Sequence, residues 1–101
     1  MAVFRVGTKN YETDVVLVKK ALSQMESLLV EYNGYVLGKP SSRLGWTFFT
    51  LSLKAGLETK IENRFADMIR RYRWGKPEEK LAKFMHDYFQ ARGCNTDLKL
   101  E

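Results

Sequence analysis

In the stretch RLGWTFFTLSL, Arg43–Leu53, two rings stand two residues apart, Trp46 and Phe48. That spacing puts both on one face of a β-strand. Rings placed so can stack on the bases of single-stranded nucleic acid, at about 1–3 kcal/mol per base. They can equally fill a second core, beneath a helix or against a second subunit. Thr50 and Ser52 share their face, while Phe49, Leu51 and Leu53 lie on the other, core-facing side.

Charge is the second feature with chemical potential. NRFADMIRRYRWGK carries five basic residues, Arg64, Arg70, Arg71, Arg73 and Lys76, against one acid, Asp67. A guanidinium is a planar, two-pronged donor that suits phosphate. At the helical period Lys60, Arg64 and Arg71 fall within about 40° of one another beside an apolar arc. Arg70 and Arg73 lie on the far side and toward the C-terminal end. The plainer explanation is that basic residues crowd a last helical turn to offset its dipole. A smaller basic spot is GKPSSR, where Lys39 and Arg43 flank two serines in a loop composition that suits phosphate contact. Lys39, Arg43, Trp46, Phe48, Lys60, Arg64, Arg70, Arg71, Arg73 and Lys76 therefore form the candidate nucleic-acid-binding set.

Catalytic patterns are missing by comparison. The single histidine, His86, falls on the polar side of its helix among Lys83, Gln90 and Glu79, where a solvated role is expected. The single cysteine, Cys94, excludes an intramolecular disulfide, and one Cys with one His supplies too few ligands for a zinc site. GKPSS lacks the earlier glycine and the helix start of a phosphate loop. Glu79 and Lys83 make an ordinary i, i+4 helix pair. The expectation is no enzyme, no cofactor and no metal.

Leu44–Leu51 resembles the third-strand motif of RNA-recognition-motif domains, with Gly45, Trp46 and Phe48 in place. The resemblance implies that Trp46 and Phe48 stack bases on an open sheet face. Leu44, Thr47, Phe49 and Leu51 depart from the motif, and placing Phe4 outward to match its first strand would bury Arg5 without a partner. An additional helix also stands where that fold has its last strand. The likeness covers eight residues and does not extend to family membership.

The elements that must position these residues follow from periodicity. AVFRVG, Ala2–Gly7, reads as a strand. In DVVLVKKALSQMESLLVEYNG, Val15, Val18, Leu22, Met25, Leu29 and Tyr32 recur at helical spacing, and with Ala21 and Leu28 they cover an arc of roughly 140°. Thr13 or Asp14 is the expected N-cap and Asn33-Gly34 the expected stop. Tyr35–Gly38 and Trp46–Leu53 read as two strands joined by KPSSRLG. GLETKIENRFADMIRRYRWG reads as one helix with Leu57, Ile61, Phe65, Met68, Ile69 and Tyr72 inward. A third helix, PEEKLAKFMHDYFQAR, has Pro77 in its first turn and Gly93 as its stop, with Leu81, Phe84, Met85 and Tyr88 inward.

The 101 residues suit one domain, expected over 1–93, with 94–101 as a tail in which Leu98–Leu100 could add a short strand. A terminal Leu-Glu is also what a common cloning junction leaves, which makes Leu100 and Glu101 candidates for a remnant. No apolar run reaches the roughly 18–20 residues of a membrane span. The lone cysteine suits a reducing compartment, so a cytosolic protein is expected. A net charge of +5 favours anionic partners. The expected class is α+β: a small, largely antiparallel three-stranded sheet in the order β-α-β-β-α-α, with helices on one face. The expected function is non-enzymatic binding of single-stranded nucleic acid through a basic helix and an aromatic strand face. The alternative is a protein-interaction or regulatory module, a homodimer through that same face.

Overall fold

The computed structural model describes all 101 residues. Its elements are β1 (Ala2–Thr8), α1 (Tyr11–Leu29), β2 (Tyr35–Leu37), β3 (Ser41–Arg43), β4 (Trp46–Leu53), α2 (Ala55–Arg64), α3 (Ala66–Arg70), α4 (Pro77–Ala91) and β5 (Thr96–Leu100). The class is α+β with an antiparallel sheet, as the sequence implies, but with five strands rather than three and four helices rather than three.

The spatial order is β2-β4-β1-β5, with β3 also paired to β4. Tyr35, Val36 and Leu37 pair with Leu53, Ser52 and Leu51, and Ser41, Ser42 and Arg43 pair with Phe48, Thr47 and Trp46. The register therefore slips by one residue across Lys39-Pro40. β2 and β3 are two segments of one edge strand interrupted by a bulge, a place where proline's missing N–H costs no ladder bond. Counted so, the path is β-α-β-β-α-β, the connectivity of the split β-α-β motif. The connection KPSSRLG is thus mostly strand, and only Leu44-Gly45 turns. Both turn residues have positive φ, 53° and 82°, as a two-residue type I′ hairpin requires.

The expected tail is the other addition. Residues 96–100 pair antiparallel with β1, Phe4 opposite Leu100 and Thr8 opposite Thr96, so the segment completes the sheet instead of trailing from it. The additional helix precedes this last strand and does not replace it. Its polar side seals the strand's outer edge, as Gln90 Nε2 donates to the Thr96 carbonyl at 2.8 Å and the Leu98 N–H donates to His86 Nδ1 at 3.2 Å. His86 is therefore not the solvated helix residue expected. It caps an edge that would otherwise be open to another strand.

All helices pack on one side of the sheet. Phe4, Val6, Phe49, Leu51, Leu53 and Leu98 from the strands meet Val18, Leu22 and Met25 of α1, Leu57 and Ile61 of α2, and Leu81, Phe84, Met85 and Phe89 of α4 in one core. α1 starts at Tyr11, before the expected caps, and stops at Leu29, where Val30 takes a left-handed conformation. Asp14 is no cap. It is buried, accepts the Thr8 hydroxyl and the Asn95 N–H, and so ties the end of β1 to α1 and to the approach to β5. The long second helix is broken at Phe65, whose φ of −112° leaves the helical region, so α3 sets off separately.

Candidate functional site

The face of the sheet away from the helices carries every second side chain of each strand. On β4 these are Trp46, Phe48, Thr50 and Ser52, all half-buried, whereas Phe49, Leu51 and Leu53 are buried in the core as expected. On β1 they are Val3, Arg5 and Gly7, on β5 Asp97 and Lys99, and on the bulged edge Val36, Ser41 and Arg43. No helix covers Trp46 or Phe48, so the reading that buries them beneath the third helix is overturned.

The rings hold a defined arrangement. Trp46 and Phe48 are near parallel, with centroids 6.3 Å apart and 16° between planes. Phe48 leans across β1 at its cross-strand partner Gly7. A Cβ at Gly7 would stand 2.9 Å from Phe48 Cε1 and 3.6 Å from Trp46 Cε3, so glycine is what seats the rings there. Each ring carries a cation: the Arg5 guanidinium is 5.3 Å from the Phe48 centroid, and Lys9 Nζ is 5.1 Å from that of Trp46. Such contacts are worth about 0.5–1 kcal/mol at exposed sites. Arg43 faces Trp46 across the β3–β4 ladder, and Lys99 faces Arg5 across the β1–β5 ladder. Lys99 lies 3.7 Å from Asp97, the one acid placed on the central part of this face. Rings and cations therefore share a surface four strands wide, β3-β4-β1-β5. It can stack planar groups while neutralising anions attached to them.

Of the candidate residues, Arg43, Trp46 and Phe48 come together here, and Lys39 sits exposed at the bulge beside them. Lys60, Arg64, Arg70, Arg71, Arg73 and Lys76 do not, because α2, α3 and the approach to α4 belong to the helical layer behind the sheet. Lys60 donates to the Leu29 and Val30 carbonyls at 3.4 and 3.1 Å and pairs with Glu31 at 3.0 Å, so it closes the end of α1. Arg70 pairs with Asp67. Lys76 occupies the N-cap position of α4, its N–H donating to Glu79 Oε1 at 3.2 Å. Arg64, Arg71 and Arg73 have no ion-pair partner.

Arg5, Lys9 and Lys99 were absent from the candidate set. The alternation of Phe4 and Val6 into the core already sends Arg5 outward. Lys9 and Lys99 need tertiary information, since nothing local says that β1 lies between β4 and the chain's end. No three His, Cys, Asp or Glu side chains converge as a metal centre would, and no helix is long and apolar enough to cross a membrane. No model of a known protein family matches the chain, nor does any curated protein or solved structure.

Proposed function

We propose that the protein binds single-stranded nucleic acid on the open face of its sheet. The observation that carries this reading is the pair of half-exposed rings on β4, each with a cation at its face. Trp46 and Phe48 stack successive bases, which tolerates any sequence because every base has a π-face. Arg5, Lys9, Arg43 and Lys99 contact phosphates, and their positions on both sides of β4 let the backbone run across the strands. Thr50, Ser52 and Ser41 offer hydroxyls for base edges or sugar. The basic helix drops out of the site, so the mode is narrower than charge along the sequence implies.

Trp46 is its own reporter once Trp74, which is 77% exposed, is replaced by Phe. Titrating that variant with a single-stranded oligonucleotide quenches Trp46 emission, and a Phe48→Ala change weakens the titration. Unquenched emission at about 50 mM salt, where phosphate binding is strong, defeats the proposal. Sedimentation of the free protein separates the rival reading. A concentration-dependent dimer abolished by Trp46→Ala would make the face a protein interface.

A further inference from the structure

The sheet face leaves the basic run Arg64–Lys76 unexplained, and the run borders the largest cavity of the molecule, lining it with Phe65, Met68 and Tyr72. A groove of about 430 Å³ opens on the helical side, between the end of α1, α3 and α4. Its floor is aromatic, with Phe65 and Phe84 at 4.9 Å between centroids and Tyr88 beside them. Two apolar side chains of its lining are exposed, Leu28 from α1 at 54% and Met68 from α3 at 51%. A hollow of about 230 Å³ at Met68, Arg71 and Tyr72 prolongs it. The break at Phe65 is what opens this groove: α3 departs from the line of α2 and buries no residue fully, so its apolar side stays half-exposed.

The rim is positive. The Arg64 guanidinium lies 5.5 Å from the Phe65 centroid, Arg92 lies 3.5 Å from that of Tyr88, and Arg71 lines the hollow. None of the three is in an ion pair. The one acid in the groove, Asp87, is occupied by the Tyr72 hydroxyl. Arg92 donates to Gln24 Oε1 and to the Tyr88 carbonyl, both at 3.3 Å, which holds it at the rim, while Arg64 and Arg71 are unengaged. Cations without carboxylate partners around an apolar trough are complementary to an apolar stripe flanked by carboxylates. We therefore propose that this groove docks an acidic amphipathic helix of a partner protein, its apolar side chains against Leu28 and Met68 and its Asp or Glu residues on Arg64, Arg71 and Arg92. Helix-in-groove docking uses anchors at i, i+3 or i+4 and i+7, which fits a trough walled by helices. Nucleic acid fits less well. The floor rings pack against one another instead of offering free faces, and phosphates find no match in Leu28 and Met68.

A displayed library of random 16-residue peptides, selected on the intact protein, is the test. Selected peptides are expected to carry net negative charge with apolar residues at helical spacing, and their amide shifts in the protein should fall on α3, α4 and the end of α1. Met68→Asp and Arg71→Glu change exposed side chains, and each should weaken the selected peptides at least tenfold while leaving the circular dichroism intact. The double variant Trp46→Ala, Phe48→Ala should bind the peptides as the wild type does, which separates this groove from the nucleic-acid face. Enriched peptides that are basic or lack helical spacing, binding insensitive to both groove variants, or displacement of the peptides by a single-stranded oligonucleotide would each overturn the assignment.

Discussion

Replacing Gly7 by alanine tests how the rings are held. The added Cβ would lie 2.9 Å from Phe48 Cε1 and 3.2 Å from Cδ1. Comfortable carbon contacts are about 3.5–4.0 Å, so the ring must move by roughly 1 Å. Gly7 has no positive φ, and alanine can adopt its backbone without strain. Overpacking costs about 1–3 kcal/mol in a closed core, but this ring faces solvent and can tilt away. Alanine also recovers about 0.5–1 kcal/mol of strand entropy. The net change in stability is therefore about 1 kcal/mol or less, a shift of about 4–8 °C or less in Tm for a domain of this size. Binding should suffer more. A displaced Phe48 loses Arg5 and its place beside Trp46, and one stacked base is worth about 1–3 kcal/mol, or roughly 5- to 150-fold in Kd. Anisotropy of a labelled single-stranded oligonucleotide, beside a thermal melt, reads both quantities. A variant that melts normally and binds as tightly as the wild type would refute the seating role of Gly7.

Three further outcomes follow from particular contacts. Leu44 is 91% exposed with φ 53°, a conformation that costs an L-residue about 1–2 kcal/mol, so Leu44→Asn should raise Tm by several degrees (about 4–8 °C per kcal/mol). Lys60→Ala should cost about 1 kcal/mol or less, because the end of α1 loses an exposed cap, and oligonucleotide affinity should stay unchanged. Burial, with the Asp87 carboxylate adding to it, pushes the Tyr72 phenol up to about 12 from 10.0. A raised value favours the neutral phenol in the fold, so this stabilisation is complete below pH 10 and is lost as pH rises to about 12. Melts of wild type and Tyr72→Phe across that window should converge, and curves that stay parallel would contradict the coupling.

Much of the fold was legible because periodicity reports burial directly. Phe49, Leu51 and Leu53 alternate and α4 repeats at helical spacing, and the structure buries those positions; of the arc on α1 it buries Val18, Ala21, Leu22 and Met25 but leaves Leu28 and Tyr32 exposed. What escaped was decided by contacts distant in sequence. β5 reads as a tail until β1 pairs with it on one side and Gln90 and His86 cap it on the other. Ser41–Arg43 reads as a loop because a bulge at Lys39-Pro40 breaks the alternation. The helix break falls at an apolar residue, Phe65, with no glycine or proline to announce it. In the candidate site, Trp46 and Phe48 are visible from spacing, while the helical arginines carry charge but lie on the helical side of the sheet, away from those rings. A linear run of charge carries no information about which face of the molecule it occupies.

The salt dependence of oligonucleotide binding tests the sheet face most directly. Four cations, Arg5, Lys9, Arg43 and Lys99, border the rings. At about −0.7 per phosphate for single strands, the plot of log K against log salt should have a slope of about −3. Arg5→Ala should reduce its magnitude by about 0.7, Arg64→Ala should leave it unchanged, and Trp46→Ala should lower affinity at every salt concentration without altering the slope. A slope that responds to Arg64 and ignores Arg5, or affinity indifferent to Trp46, would place the nucleic acid elsewhere and contradict the account.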